Sequence, residues 1–181
     1  MRTKTTLKIA LADYGSSPHL PALWSEAKTL ASAEDNILFF QFTGGQDTLP
    51  FFYMESLLAL FAKEQPDILL FPHTDYGCEL ASRLAYSRQI PTLTNVRQIE
   101  TGNGQIRLHK HICNMNMTGV FSFQETPLCL TIAERESHSE TLSRPAFAKI
   151  LPVSLPESVS EEYQAAASEA LAEENPLPHA K

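Results

Sequence analysis

Short apolar runs alternate with longer segments whose apolar residues recur every three or four positions, and this rhythm sets out the first half of the chain. "LKIALA", Leu7 to Ala12, ends at "DYGSSP" and reads as a buried strand entering a loop. Pro18 opens a helix in which Leu20, Leu23, Trp24, Ala27, Leu30 and Ala31 form one stripe. "NILFFQF", Asn36 to Phe42, is a second strand. After "TGGQDTLP" a helix carries Met54, Leu57, Leu58 and Phe61 on one face and closes before Pro66. "DILLF", Asp67 to Phe71, is apolar on both faces, which predicts a parallel sheet covered on two sides, since a sheet with one wet face would alternate. The next helix sets Leu80, Ala81, Leu84 and Ala85 against Arg83 and Arg88, and "IPTLTNV", Ile90 to Val96, begins a fourth strand.

The texture then changes. "RQIETGNGQIRLHKHI" holds two alternating runs joined by Gly102, Asn103 and Gly104, residues that tolerate the positive φ of tight hairpins. "GVFSF" and "LCLTIA", separated by Gln124 to Pro127, read as another antiparallel pair. The fold class predicted is α/β: a doubly wound, mainly parallel sheet with helices on both faces and an antiparallel hairpin extension at one edge. Residues 1–136 form this domain. Residues 137–181 read as a polar linker, a helix around Glu161 to Glu174 with Ser158 and Glu161 spaced as a capping box, and a frayed end.

Composition narrows the partners. A net charge of −7 over 181 residues, without a basic block, argues against nucleic acid or an anionic membrane surface. No apolar run approaches a membrane span, and Met1 to Lys8 lacks a signal-peptide core, so a cytoplasmic protein with protein or small-molecule partners is expected. Cys78, Cys113 and Cys129 form no Cys-x-x-Cys pair and are expected as reduced, mostly buried thiols.

Candidate chemistry concentrates in loops. "TGGQDT", Thr43 to Thr48, resembles the phosphate-gripping loop of pyrophosphatase-type adenylating enzymes. It follows the second strand rather than the first and lacks a nearby basic residue, so turn chemistry is its expected role. His109, His111 and Cys113, two apart in "HKHIC", would share one face of a strand and are ligand types suited to zinc. Nothing in the sequence brings His73 or Asp75 near to complete such a set. The wet face of an edge strand is therefore the preferred reading, with no metal. No Gly-x-Ser-x-Gly elbow supports a nucleophilic serine.

In wound sheets, ligands sit beyond the carboxyl ends of the strands where the winding reverses, which singles out the loops Asp13 to Ser17 and Pro72 to Gly77. Asp13, Thr74 and Gly77 are the nucleotide candidates: a hydroxyl and unobstructed amides at a helix start can take an anion. Asp13, Asp75 and Glu79 would repel a phosphate unless Arg83 or an outside cation compensates.

The segment "PDILLFPHTDYGCELASRLAYSRQIPTLTNVRQIE" resembles the amino-terminal domain of electron-transfer flavoprotein alpha subunits, with Thr74, Gly77, Ala81, Arg83, Leu84 and Ala85 matching its strand–loop–helix pattern. "RLHKHICNMNMTGVFSFQETPLCLTIAER" is similar to the family's following strand pair, with Lys110, Asn116 and Leu128 to Ile132 in register. The resemblance spans Leu7 to Arg135. It implies an adenine-nucleotide-hydrolase-like domain without the flavin-carrying carboxyl-terminal domain. The implied role is non-catalytic: an electron-transfer subunit or scaffold pairing with a beta-like subunit, or with a second copy as a homodimer. FAD or AMP would then be held only with a partner, and no cofactor tightly by this chain alone. The alternative expectation is a stand-alone adenine-nucleotide-binding module using the Asp13 and Thr74 loops.

Overall fold

The computed structural model describes residues 7–31, 36–43, 48–102, 105–133 and 149–155. In chain order the elements are β1 (Ile9–Tyr14), α1 (Leu20–Leu30), β2 (Ile37–Phe42), α2 (Met54–Glu64), β3 (Ile68–Pro72), α3 (Asp75–Arg88), β4 (Thr92–Val96), β5 (Gln98–Gly102), β6 (Gln105–Ile112), β7 (Met117–Phe123), β8 (Leu128–Ile132) and β9 (Lys149–Val153). A 3₁₀ turn, Pro50–Tyr53, leads into α2. Six strands form a parallel sheet in the order β4-β8-β3-β1-β2-β9, and β5-β6-β7 form a separate antiparallel sheet.

Strand alternation divides the core in two. Ile9, Leu11, Phe39, Leu70 and Leu130 face Leu23 and Ala27 of α1, together with Ile99, Ile106 and Leu108 of the small sheet. Ala10, Phe40, Leu69 and Cys129 face the other way, onto Leu57 and Phe61 of α2 and Leu80 and Leu84 of α3. One face is thus shared by a helix and a small sheet, the other covered by two helices. Two-sided burial accounts for the unbroken apolar runs of β1, β3 and β8, every residue of which is buried. The helical stripes fall where their periodicity places them: Leu20, Leu23, Trp24, Ala27 and Leu30 are buried in α1, and Leu80, Ala81, Leu84 and Ala85 in α3.

The α/β class is as the sequence predicts, but one pairing is not. "GVFSF" and "LCLTIA" are not partners. β7 pairs antiparallel with β6, whereas β8 enters the main sheet parallel to β3, Leu70 opposite Leu130, and separates β3 from β4. Burial explains the difference: β8 is apolar on both faces and must be covered twice, while β7 is largely exposed and tolerates an edge. A second difference is β9. It arises in the stretch read as polar linker and pairs with β2, Phe39 opposite Ile150, as the far edge of the sheet. The helix expected around Glu161 to Glu174 lies outside the described residues, as does its capping box.

Charge fastens that edge. Glu64, at the end of α2, is buried; its Oε1 accepts from Lys149 Nζ of β9 at 2.6 Å and its Oε2 from Lys8 Nζ beside β1 at 3.0 Å. Hydrogen bonds from Lys149 and Lys8 hold its carboxyl below the ordinary value of 4.5 against the opposing effect of burial. A depressed carboxyl pKa contributes stability that is present above the unfolded value and is lost as pH falls through the folded one. Both ammonium groups reach solvent, which screens the pair. Glu64→Gln is expected to lower the unfolding free energy by about 1 kcal/mol at neutral pH, with the difference from the parent shrinking under acid, in urea titrations at both pH values.

Candidate functional site

The winding reverses at β1: β2 lies on one side with its crossover α1 on one face, and β3 on the other side with α2 on the opposite face. The loops after β1 and β3 therefore flank a crevice at the carboxyl edge of the sheet. Tyr14, the last residue of β1, and Tyr76, in the first turn of α3, meet with ring centroids 5.4 Å apart.

Asp13, the fifth residue of β1, lies opposite Gln41 of β2 and is only 4% exposed. Its Oδ1 accepts the Tyr14 N–H at 2.8 Å, while its Oδ2 is buried without a hydrogen-bond partner among the described residues. Burial raises its pKa above the ordinary 3.8, an effect partly offset by Ser17, the Tyr14 N–H and His19. The carboxylate enters the crevice already short of donors.

Thr74 and Gly77 come together, chiefly with each other. Thr74 is the N-cap of α3, and its Oγ1 accepts the Gly77 N–H at 3.0 Å. The cap satisfies a backbone donor that an anion would otherwise use. Gly77 answers to sterics: a Cβ there would sit 2.0 Å from the Pro72 carbonyl oxygen, so only glycine lets the first turn of α3 close over the end of β3. Arg83, the cation expected to balance the local carboxylates, donates from Nε to Glu79 at 2.8 Å and lies 5.7 Å from the Phe51 ring centre. It is engaged on the outer part of α3.

Sequence reasoning missed the aromatic floor of this crevice. Phe42, from the end of β2, lies 5.5 Å from Tyr14, 5.0 Å from Tyr53 and 5.6 Å from Tyr76, centroid to centroid. Tyr53 is fully buried, and the hydroxyls of Tyr53 and Tyr76 have no hydrogen-bond partner among the described residues. Burial pushes the Tyr14 phenol up to about 12, and burial together with Tyr14 pushes Tyr76 higher still. These groups stay neutral across the physiological range. The available signal was positional: an aromatic residue follows or ends β1 and β2 and recurs in the first turn of α3.

The remaining candidates lie elsewhere. His109 and His111 are alternate residues of β6 and line an open groove of about 580 Å³ beside Glu26 and Arg97. His109 Nε2 is 3.4 Å from Glu100 Oε2. Cys113 lies beyond the strand, exposed in the β6–β7 turn at φ 51°. No group of three or more His, Cys, Asp or Glu side chains among the described residues is placed to hold a metal. Most of the Thr43 to Thr48 loop is outside the described residues. No described helix is long and apolar enough to cross a membrane.

A family model described as electron transfer flavoprotein domain matches residues 24–156, from α1 through β9. No curated protein matches the chain.

Two substitutions test the geometry. Gly77→Ala is expected to cost about 3 kcal/mol or to prevent folding, because the carbonyl it meets cannot yield without shifting β3. For Asp13 the sign is reversed: a carboxyl whose folded pKa is raised weighs against the fold when ionised, and stability recovers as pH falls through that value. Asp13→Asn is accordingly expected to raise the unfolding free energy by about 1 kcal/mol at neutral pH, read by urea titration.

Proposed function

Because the chain belongs to the electron transfer flavoprotein domain family, we propose that it works as an alpha-subunit-like, non-catalytic scaffold that docks a beta-like subunit and holds no flavin or adenine nucleotide tightly by itself. Family membership makes it an electron-transfer-flavoprotein-like protein, and domains of this family work in complexes. The observation that carries the finer reading is the chemistry of the crevice. Its one fully buried carboxylate has an unpaired oxygen, and the Gly77 amide is consumed by the Thr74 cap. A pyrophosphate beside Asp13 would add like charge at low dielectric, with Arg83 already held by Glu79. The residues present do not suit FAD or AMP phosphates.

A protein partner is better served. Among the described residues β7 is bonded to β6 on one side only, and Met117, Val120 and Phe121 stand exposed along it, at 58%, 55% and 37%, next to Met115 of the preceding turn. An exposed, apolar edge strand suits docking to another chain. A second copy of the chain is the other partner this edge could take.

Co-expression with a tagged beta-type electron-transfer-flavoprotein subunit tests the proposal. A stoichiometric complex is expected, and Met117→Lys with Val120→Lys is expected to weaken it about tenfold or more while the lone chain stays colourless. A lone chain that self-associates and ignores the beta-type subunit would replace the proposal with the homodimer. Association unaffected by the double substitution would remove the β7 edge from it.

A further inference from the structure

The junction of β3 and α3 also unites a thiol and an imidazole that the docking role does not use. Cys78 Sγ lies 3.1 Å from His73 Nδ1, and the same nitrogen is 2.9 Å from Thr131 Oγ1. Thr131, at the buried end of β8, accepts the Asn95 N–H at 2.9 Å, so the main chain of β4 fixes the hydroxyl that steadies the ring. Asn95 adopts φ 60° at the irregularity where β4 slips its register against β8, which turns its N–H toward Thr131. Cys78 stands in the first turn of α3 and is partly exposed. Cys129, by contrast, is buried.

We propose that Cys78 is a reactive thiol, with His73 as its general base, that undergoes exchange with small-molecule disulfides. With its proton on Nε2, the neutral imidazole has one Nδ1 lone pair, for which the Thr131 hydroxyl and the thiol compete, and it acts as base to Cys78 when the hydroxyl proton is turned away. Desolvation, then Lys110, hold the proton affinity of His73 below its ordinary value, with Arg97 acting in the same sense and Asp75 opposing, so the ring enters as a base. In the exchange, the Cys78 proton passes to His73 Nδ1 as Sγ attacks one sulfur of the disulfide. A new S–S bond forms, the old one breaks, and its electron pair leaves on the departing thiolate. Cys78 is oxidised, the released half is reduced, and no further oxidant is required.

The test is the rate of thiol release from dithiobis(nitrobenzoate), an anionic disulfide, and from the neutral dithiodipyridine, at neutral pH in a Cys113→Ser background. Modified peptides are mapped by mass spectrometry. Cys78 is expected to react about tenfold faster in the folded chain than in the urea-unfolded one. Both His73→Ala and His73→Gln should remove that advantage in chains whose circular dichroism is unchanged. A Cys78 no faster folded than unfolded with either probe, or a rate indifferent to both His73 substitutions, overturns the proposal.

Discussion

The first turn of α3 has to close directly over the last residue of β3, and only the missing side chain at Gly77 lets it do so against the Pro72 carbonyl. Most of the crevice follows from that contact. It fixes Thr74 as the cap, sends Tyr76 toward Tyr14, and brings Cys78 beside His73. β3 in turn is held between β1 and β8 with every residue buried, so the turn cannot relax by moving the strand. A displacement of a few tenths of an ångström at Pro72 would disturb the cap, the aromatic floor and the thiol–imidazole pair together.

The crevice so built is better suited to staying intact than to gripping an anion. Helix starts attract phosphates through free amides and the dipole, but here the cap removes an amide and Asp13 places a carboxylate with an unpaired oxygen close by. Leaving a buried acceptor unmade costs about 1–3 kcal/mol, and a neighbouring phosphate would add repulsion to that deficit. Exposed apolar residues line β7, which among the described residues is an edge of the small sheet, and Leu49, Phe51, Tyr86 and Ile150 stand exposed as well. Under the proposed role the β7 edge, rather than the crevice, is the docking face.

Much of this was legible in the residues. The stripe from Leu20 to Leu30, the two-sided run of β3 and the Thr74–Gly77 start of α3 each carry a local signal that packing left unchanged. The place of β8 was less accessible, because proximity in sequence favoured pairing it with β7. Its unbroken burial, beside the exposed β7, was nevertheless a readable sign of a central strand. β9 was hidden for the opposite reason. Lys149 and Pro152 give it little strand character, and it is secured by pairing with β2 and by the Glu64 carboxylate 85 residues upstream of Lys149. The Tyr14–Phe42–Tyr53–Tyr76 cluster joins residues whose meeting depends on strand order, which no local pattern encodes.

The central claim is that this wound domain docks a protein and does not itself retain a nucleotide. Calorimetric titration of the purified chain with FAD, AMP and ATP tests it most directly. The account predicts no saturable heat for any of the three; stoichiometric binding of one of them, weakened by Thr74→Ala, would contradict it.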